Sequence, residues 1–497
     1  MPLRPRDAPP TPERINERRA LRGERSPPGQ PVVDDGHRTN DRLENRRPRL
    51  GARLLWRDAP RTILSLLQGC WHDVGVGAVQ RPLGETSMPP AESPWQSSFS
   101  LPGSRVPFLS RVVLRNFRSI QACDVRLGPL TFLVGPNGSG KSNFLDALRL
   151  ITDALRTSLD HALRDRGGVN EVRRRSSGHP THFGIRIEFQ LPNGASGHFS
   201  FSVGARSHGD YVVQEEECAV GNAKYRVREG ALLLKPSSVA PPASEDRLYL
   251  VNAAGLPEFR PLFDALSNMG FYNLNPDQLR ALQSPDKGEL LARDGFNLPS
   301  VLERLEKLDG DTTKQRIEEY LSAIVPGVEG VDAKRVGHME TLEFRQHVEG
   351  AKDPWRFPAI NMSDGTLRAL GILVALLQAR VERRIQVVGI EEPEVALHPA
   401  AAGILRDALR DASQYAQVIV TSHSPELLDD SNIHGEEIIS VVAEQGKSLI
   451  ARVDEVTRAA LRDHLYTAGE LLKANQLAPD IQAVPALEQL KLWGNDP

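Results

Sequence analysis

The sequence holds only three cysteines, Cys70, Cys123 and Cys218, with no CxxC pair among them. An odd, scattered set of thiols excludes a disulfide framework and a cysteine zinc site, and it fits a reducing compartment. Long apolar runs are missing too. The most apolar stretch, Leu370 to Leu377, falls short of the roughly 18 to 20 residues that cross a bilayer. No membrane partner is expected, and the setting read from these absences is cytoplasmic. No leader is read either: Leu66-Leu67-Gln68-Gly69-Cys70 ends an apolar run that is too short and too far along for a lipoprotein signal. Lysine is absent before Lys141, and residues 1–110 instead carry 17 arginines against 12 acidic residues, with 44 basic against 52 acidic beyond. That balance lacks the strong basic surplus of a dedicated DNA-binding domain. Internal repeats and long heptad runs are missing, which excludes a solenoid and an extended coiled coil.

What is present is 497 residues, 40% hydrophobic and 25% charged, enough for about two to four ordinary domains with sizeable cores. Residues 1–105 are rich in Pro, Arg, Gly and Ser without apolar periodicity, and such a composition cannot offset the entropy of ordering. This arm is read as disordered. It is either a nucleic-acid or partner tail, or, the reading preferred here, an idle extension with Met88 as an alternative start.

Order is expected from 106 to 475, with a short tail over 476–497. Arg111–Phe117, Cys123–Arg126 and Leu130–Val134 read as strands. Phe144, Leu145, Leu148 and Ile151 recur at helical spacing directly after a glycine-rich segment. Residues 183–235 alternate as an antiparallel sheet, 257–324 read as mostly helical, and strands return at Val331–Val336 and Thr341–His347. A β subdomain and helical insertion are thus expected over 183–350, inside a head whose remainder, to 450, alternates α and β.

Gly135-Pro136-Asn137-Gly138-Ser139-Gly140-Lys141-Ser142 matches GxxxxGK[ST] between a buried strand and a helix. Glycines there let backbone N–H groups curl around phosphate oxygens at a helix N-terminus, with Asn143 on its first turn. Lys141 is expected on the β and γ phosphates of ATP, and the Ser142 hydroxyl on Mg²⁺. Ile385–Ile390 is a strand run that ends in Glu391-Glu392. Glu391 would hold the metal and Glu392 would polarise the attacking water. A solvated acidic turn would explain the pair in isolation, but a second strand, Gln417–Val420, delivers Thr421-Ser422-His423. Three strand tips can then converge on one nucleotide at the carboxyl end of a parallel sheet, where His423 would donate to a γ-phosphate oxygen. Ser363, before an apolar helix, reads as an N-cap.

The set resembles the ABC-type ATPase heads of the RecF, OLD and SMC group, and most closely the stand-alone AAA-family predicted ATPases. It comprises Asn116-Phe117-Arg118-Ser119, Gly135–Ser142, Ser363-Asp364-Gly365, Glu391-Glu392-Pro393-Glu394, Leu397-His398-Pro399, Thr421-Ser422-His423-Ser424-Pro425 and the closing Tyr466–Leu471. The resemblance spans about 110 to 475. It implies an α/β P-loop NTPase fold and a homodimer that sandwiches ATP in composite sites. Ser363 and Gly365 would meet the nucleotide of the opposite subunit, with His398 beside the seam. Glutamate at 391 replaces the aspartate of many ABC ATPases but serves the same metal role. The Q-loop glutamine is not identified; Gln190, at a strand end, is a weak candidate and reads better as a surface glutamine. The stretch after His423 is expected to be too short for the Toprim nuclease domain of OLD proteins.

The resemblance implies a role in DNA repair or phage defence, DNA as a partner and a separately encoded effector. Arg173-Arg174-Arg175 is either a solvated loop or a phosphate track. Competing readings are the nucleotide-binding subunit of a transporter, disfavoured by Ser-Asp-Gly at 363–365, and an ATP-gated switch with little turnover, disfavoured by the paired carboxylates.

Overall fold

The structure is a computed structural model that describes residues 106–175, 180–237, 240–480 and Leu492. The arm expected over 1–105 lies outside the described residues, as does most of the tail.

Three strands open the head: β1 (Leu109–Phe117), β2 (Ile120–Arg126) and β3 (Leu130–Val134). All five residues of β3 are buried, so a short apolar run suffices for a central strand covered on both faces. The glycine-rich loop follows, then α1 (Lys141–Arg156), whose buried side includes Phe144, Leu145, Leu148 and Ile151. An antiparallel meander comes next: β4 (His182–Gln190), β5 (Ser196–Ala205), β6 (Tyr211–Val220), β7 (Ala223–Arg228) and β8 (Ala231–Leu234). The insertion carries β9 (Gly270–Tyr272), α2 (Leu298–Asp309) and α3 (Thr312–Ile324), then β10 (Val328–Val336), β11 (Met339–Gln346) and β12 (Trp355–Pro358). The chain closes with α4 (Asp364–Val381), β13 (Val387–Glu391), α5 (Ala402–Ser413), β14 (Gln417–Ser422), β15 (Ile438–Glu444) and β16 (Lys447–Arg452).

The described strands make one sheet of thirteen, ordered β8-β7-β6-β5-β4-β1-β2-β16-β15-β3-β14-β13-β9, and a separate antiparallel sheet, β10-β11-β12. The meander is therefore not a detached layer: β4 pairs with β1 and continues the main sheet. Only β10–β12 stands apart. Within the large sheet β15, β3, β14, β13 and β9 run parallel. β9 lies in the stretch expected to be mostly helical. Three residues show no alternation, and the strand exists because its backbone pairs with Val388–Ile390 of β13.

Two cores sandwich the parallel strands. Leu133, Val387 and Ile419 face the α1 side, while Leu130, Phe132, Val134, Val388, Ile390, Val418 and Val420 face α4 and α5. Each such side chain contributes on the order of 1.5–3 kcal/mol of burial. α4 is buried almost all round, from Thr366 to Ala379, because it is packed against α2, α3, α5 and the sheet. At the amino end of β14 the buried Gln417 amide accepts from Leu109 N–H (2.8 Å) and donates to Leu109 O (2.8 Å) and Gly128 O (2.9 Å). That end is sealed by polar contacts, and the opposite end of the strands carries the motifs.

Candidate nucleotide site

Register places the three motif strands level. Glu391 pairs with Thr421, Thr421 with Leu133, and Ser422 with Val134, so the residues that follow emerge side by side at the carboxyl end of the sheet. The loop after β3 passes close to the neighbouring hairpin. A Cβ at Gly135 would stand 1.9 Å from Val441 O, and Gly140, at φ +109°, adopts a backbone that glycine alone tolerates readily.

Lys141, 4% exposed, donates from Nζ to Gly135 O (2.8 Å) and Pro136 O (3.2 Å). Burial pulls its pKa down, and the carboxylates of Glu392 and Glu394 oppose that shift. Its Nζ lies 3.8 Å from Glu392 Oε1. The same oxygen lies 3.4 Å from His423 Nδ1. Glu392 reaches this position from a left-handed backbone, φ +45°, which its N–H holds by donating to Thr421 O (3.0 Å) and Oγ1 (3.2 Å). Such a conformation costs of order 1 kcal/mol and aims the side chain back across the strand tips. Glu394, unassigned at the sequence level beyond its motif, accepts from Ser422 Oγ (2.6 Å) and His423 N–H (3.3 Å). It fixes the histidine.

Glu391 is engaged differently, accepting from Arg293 Nη2 at 3.0 Å. Arg293 and Arg368 line a cavity of about 680 Å³ with Asn273 and Asn275. Arg368 donates to Leu274 O (3.1 Å); burial lowers its pKa, and Glu392, Glu394 and Asp364 oppose this. Sequence reasoning passed over both arginines: Arg293 lies in a loop, Arg368 lies on the first turns of α4 among apolar neighbours, and the fold brings them near the motif carboxylates.

The rest of the expected set divides. Pro136, Asn137, Gly138 and Ser142 are exposed along the loop rim, and Ser139 is buried. Asn143 is committed inward, donating to Ser119 Oγ (2.7 Å). Ser363, Gly365 and His398 are engaged in local contacts at the start of α4 and in the turn after β13. Ser363 is an exposed N-cap that accepts from Thr366 N–H (3.2 Å). Gly365 packs on the turn that carries His398, where a Cβ would stand 2.5 Å from Ala396 O. The exposed His398 accepts at Nδ1 from Ala400 N–H (3.2 Å). Gln190 N–H donates to Phe108 O, next to Leu109 and its Gln417 contact, which puts it at the sealed end of the sheet. Of the arginine cluster, Arg174 is buried on Gln121 and Arg173 donates to Asn170 and Pro180 O. Arg174 ties the segment to β2, and Arg118 N–H donates to Val172 O at the β1–β2 turn, so two of the three guanidinium groups are engaged within the protein rather than lining a phosphate track.

The residues fit a magnesium nucleotide. Three buried polar atoms, Ser139 Oγ, Glu394 Oε2 and His423 Nδ1, lack a hydrogen-bond partner, and buried polar groups of this kind call for one. Among the described residues no cluster of three or more His, Cys, Asp or Glu forms a metal cage. Magnesium commonly needs only one or two carboxylates beside phosphate oxygens, and Ser142 at the start of α1 and Glu391 at the end of β13 are the donors that would hold it.

Two family models match: "AAA ATPase domain" over residues 108–199 and "AAA domain, putative AbiEii toxin, Type IV TA system" over 238–429. The OLD nuclease of Thermus scotoductus is 23% identical over 376 residues, covering 69% of this chain and 66% of that protein. The DNA replication and repair protein RecF of Vibrio vulnificus is 52% identical over 44 residues, which is 9% of this chain and 12% of RecF. The alignments thus span less than two thirds of either relative. Among solved structures, the Smc head domain with an extended coiled coil bound to the C-terminal domain of ScpA, from Pyrococcus furiosus, aligns over 72% of this chain and 100% of its own at 12% identity, TM-score 0.45. Both family models fall on the head whose loop and strand tips are described above, so this head is similar to AAA ATPase domains and, over part of its length, to the OLD nuclease and RecF.

Proposed function

We propose that the protein hydrolyses ATP in a Mg²⁺-dependent manner and uses the cycle as a conformational switch between ATP-closed and open homodimers. The observation that carries this is the single oxygen of Glu392 shared by Lys141 Nζ at 3.8 Å and His423 Nδ1 at 3.4 Å. One cation, one base and one hydrogen-bond donor from three strand tips flank the place where a terminal phosphate would sit.

Lys141 would release the two loop carbonyls and pair with β and γ phosphate oxygens as they enter the loop. Ser142 and Glu391 would hold Mg²⁺, Glu391 exchanging Arg293 for it. When bound, the metal supplies charge neutralisation across the phosphates and a template for their geometry. Glu392 would orient and polarise the attacking water, and His423, held by Glu394, would donate to the γ-phosphate. Ser363, exposed at the start of α4, and the half-buried Gly365 lie near the exposed apolar side chains of Ile360 and Val395 and would meet the nucleotide of a second copy.

A role in DNA repair with DNA as a partner is supported by the names of the matched relatives, an OLD nuclease and a DNA replication and repair protein; the cytoplasmic setting, phage defence and the separate effector rest on the motif resemblance. Among the described residues no helix is long and apolar enough to cross a membrane, in keeping with that reading.

Phosphate release measured with and without Mg²⁺ and double-stranded DNA ends, on wild type and Glu392→Gln, is the test. Turnover that requires Mg²⁺ and falls at least a hundredfold in Glu392→Gln is expected. Equal activity of the two proteins would remove Glu392 from the reaction.

A further inference from the structure

The hairpin of β15 and β16 lies under the phosphate loop, and one of its side chains touches the loop at a single atom. Ser448, 2% exposed, donates from Oγ to Ser139 O at 2.5 Å. Its N–H donates to Ser119 O (3.0 Å), and its Oγ lies 2.7 Å from Ser119 Oγ. Asn143 Nδ2 donates to that same Ser119 Oγ at 2.7 Å.

Counting protons orients the chain of contacts. A serine hydroxyl has one hydrogen to give. Ser448 gives its own to the Ser139 carbonyl, so the hydrogen between the two serines comes from Ser119, and Ser119 accepts from Asn143. The run is directional: Asn143 amide to Ser119 hydroxyl, Ser119 to Ser448, Ser448 to the loop carbonyl. Bonds in such a series polarise one another.

The end of the run matters most. In a trans peptide the carbonyl and the following N–H point in opposite directions. Drawing Ser139 C=O down onto Ser448 therefore turns the Gly140 N–H up, into the concave side of the loop where phosphate oxygens gather. Sterics enforce the same arrangement. A Cβ at Gly140 would meet Ser448 Oγ at 2.1 Å, so the hydroxyl occupies the space that glycine leaves open.

We infer that Ser448 is a positioning residue for the nucleotide: through its bond to Ser139 O, and with Ser119 behind it, it sets the orientation of the Gly140 N–H toward the β-phosphate. This deepens the ATPase reading and rests on it. Ser448 touches no nucleotide itself. Since the Gly140 N–H faces the β-phosphate, ATP and ADP depend on Ser448 alike, whereas His423 and Glu392 concern the γ-phosphate alone.

The test is the affinity of the full chain for a fluorescent ATP and a fluorescent ADP, with melting temperature read in parallel. Ser448→Ala should weaken both nucleotides about tenfold, the loss of one oriented amide contact to a charged group. Ser119→Ala, which leaves the last bond of the run in place, should weaken them less, and it covers the case in which Ser448→Ala fails to fold. Ser440→Ala is the control: Ser440 is equally buried, one strand over, but donates to Leu477 O at 2.6 Å. It should lower the melting temperature without changing either affinity. Unchanged affinity in Ser448→Ala, or an equal loss in Ser440→Ala, would overturn the inference while leaving ATP binding intact. A wild type that binds no nucleotide would sink the ATPase reading, and this inference with it.

Discussion

His423 Nδ1 stands 3.4 Å from Glu392 Oε1, the two residues following directly on different strands, β14 and β13. Glu394 completes the arrangement from below by accepting the backbone N–H of His423. The histidine thus leans on one carboxylate and faces another. His423→Ala should reduce turnover by roughly ten- to a hundredfold while nucleotide affinity changes less than threefold, since one donor to the γ-phosphate is removed. Single-turnover kinetics beside equilibrium binding separates the two quantities. A loss confined to affinity would place His423 outside the reaction.

Among the described residues, Lys141 is the side-chain cation with its charged end among the loop carbonyls. Lys141→Ala should abolish measurable ATP binding, with a melting temperature close to that of the wild type in the absence of nucleotide. Calorimetric titration checks the first point and a thermal scan the second.

At Gly135 the constraint is steric, with Val441 O where a Cβ would be. Backbone cannot yield as a side-chain tip can, so Gly135→Ala should cost about 1–3 kcal/mol of stability and displace the loop from β15. Denaturant unfolding together with nucleotide binding should show both losses in the same variant.

The Arg293–Glu391 pair predicts a metal effect with a definite sign. Arg293 is half exposed, so its hold on the carboxylate is worth at most about 1 kcal/mol. Arg293→Ala should lower the Mg²⁺ concentration for half-maximal turnover by up to about fivefold. A Mg²⁺ titration in which the requirement rises would show that Arg293 assists the metal instead of competing with it.

Glu216, fully buried on β6, accepts from Tyr225 Oη (2.6 Å), Tyr249 N–H (2.6 Å) and Leu250 N–H (2.9 Å). Burial outweighs these donors and pushes its pKa up to about 7. The folded chain then keeps a proton that the unfolded chain has released, so this group's contribution falls as pH rises from about 4.5 through about 7. Wild type should lose stability relative to Glu216→Gln over that interval. Parallel pH melting curves would contradict the shift.

The distance over which each signal acts decides how much the sequence reveals. The loop at 135–142 is legible because its glycines, lysine and serine act within eight consecutive residues and sit between a β3 and an α1 whose periodicities differ. The carboxylate and histidine strands are legible as apolar runs that end in polar tips, and the mixed α/β fold follows from them. β9 is not, since three residues held by pairing with β13 carry no pattern of their own. Nor is the joining of β4 to β1, because alternation predicts strands without naming their neighbours. Arg293, Arg368, Ser119 and Ser448 gain their meaning from contacts across tens to hundreds of residues. Asn143 shows the converse: its place in the motif suggests a ligand, and the fold gives its amide to Ser119.

β3 has β14 on one side and β15 on the other, and those neighbours start at Gln417 and Ile438. During synthesis β3 leaves the ribosome well before either flanking strand, because the meander and the helical insertion lie between them in sequence. A nascent head therefore exposes two unpaired edges of a fully buried strand until Ile438 and its neighbours have emerged, the circumstance in which chains aggregate or recruit chaperones. Premature termination before Ile438 would yield insoluble protein rather than a weakened enzyme.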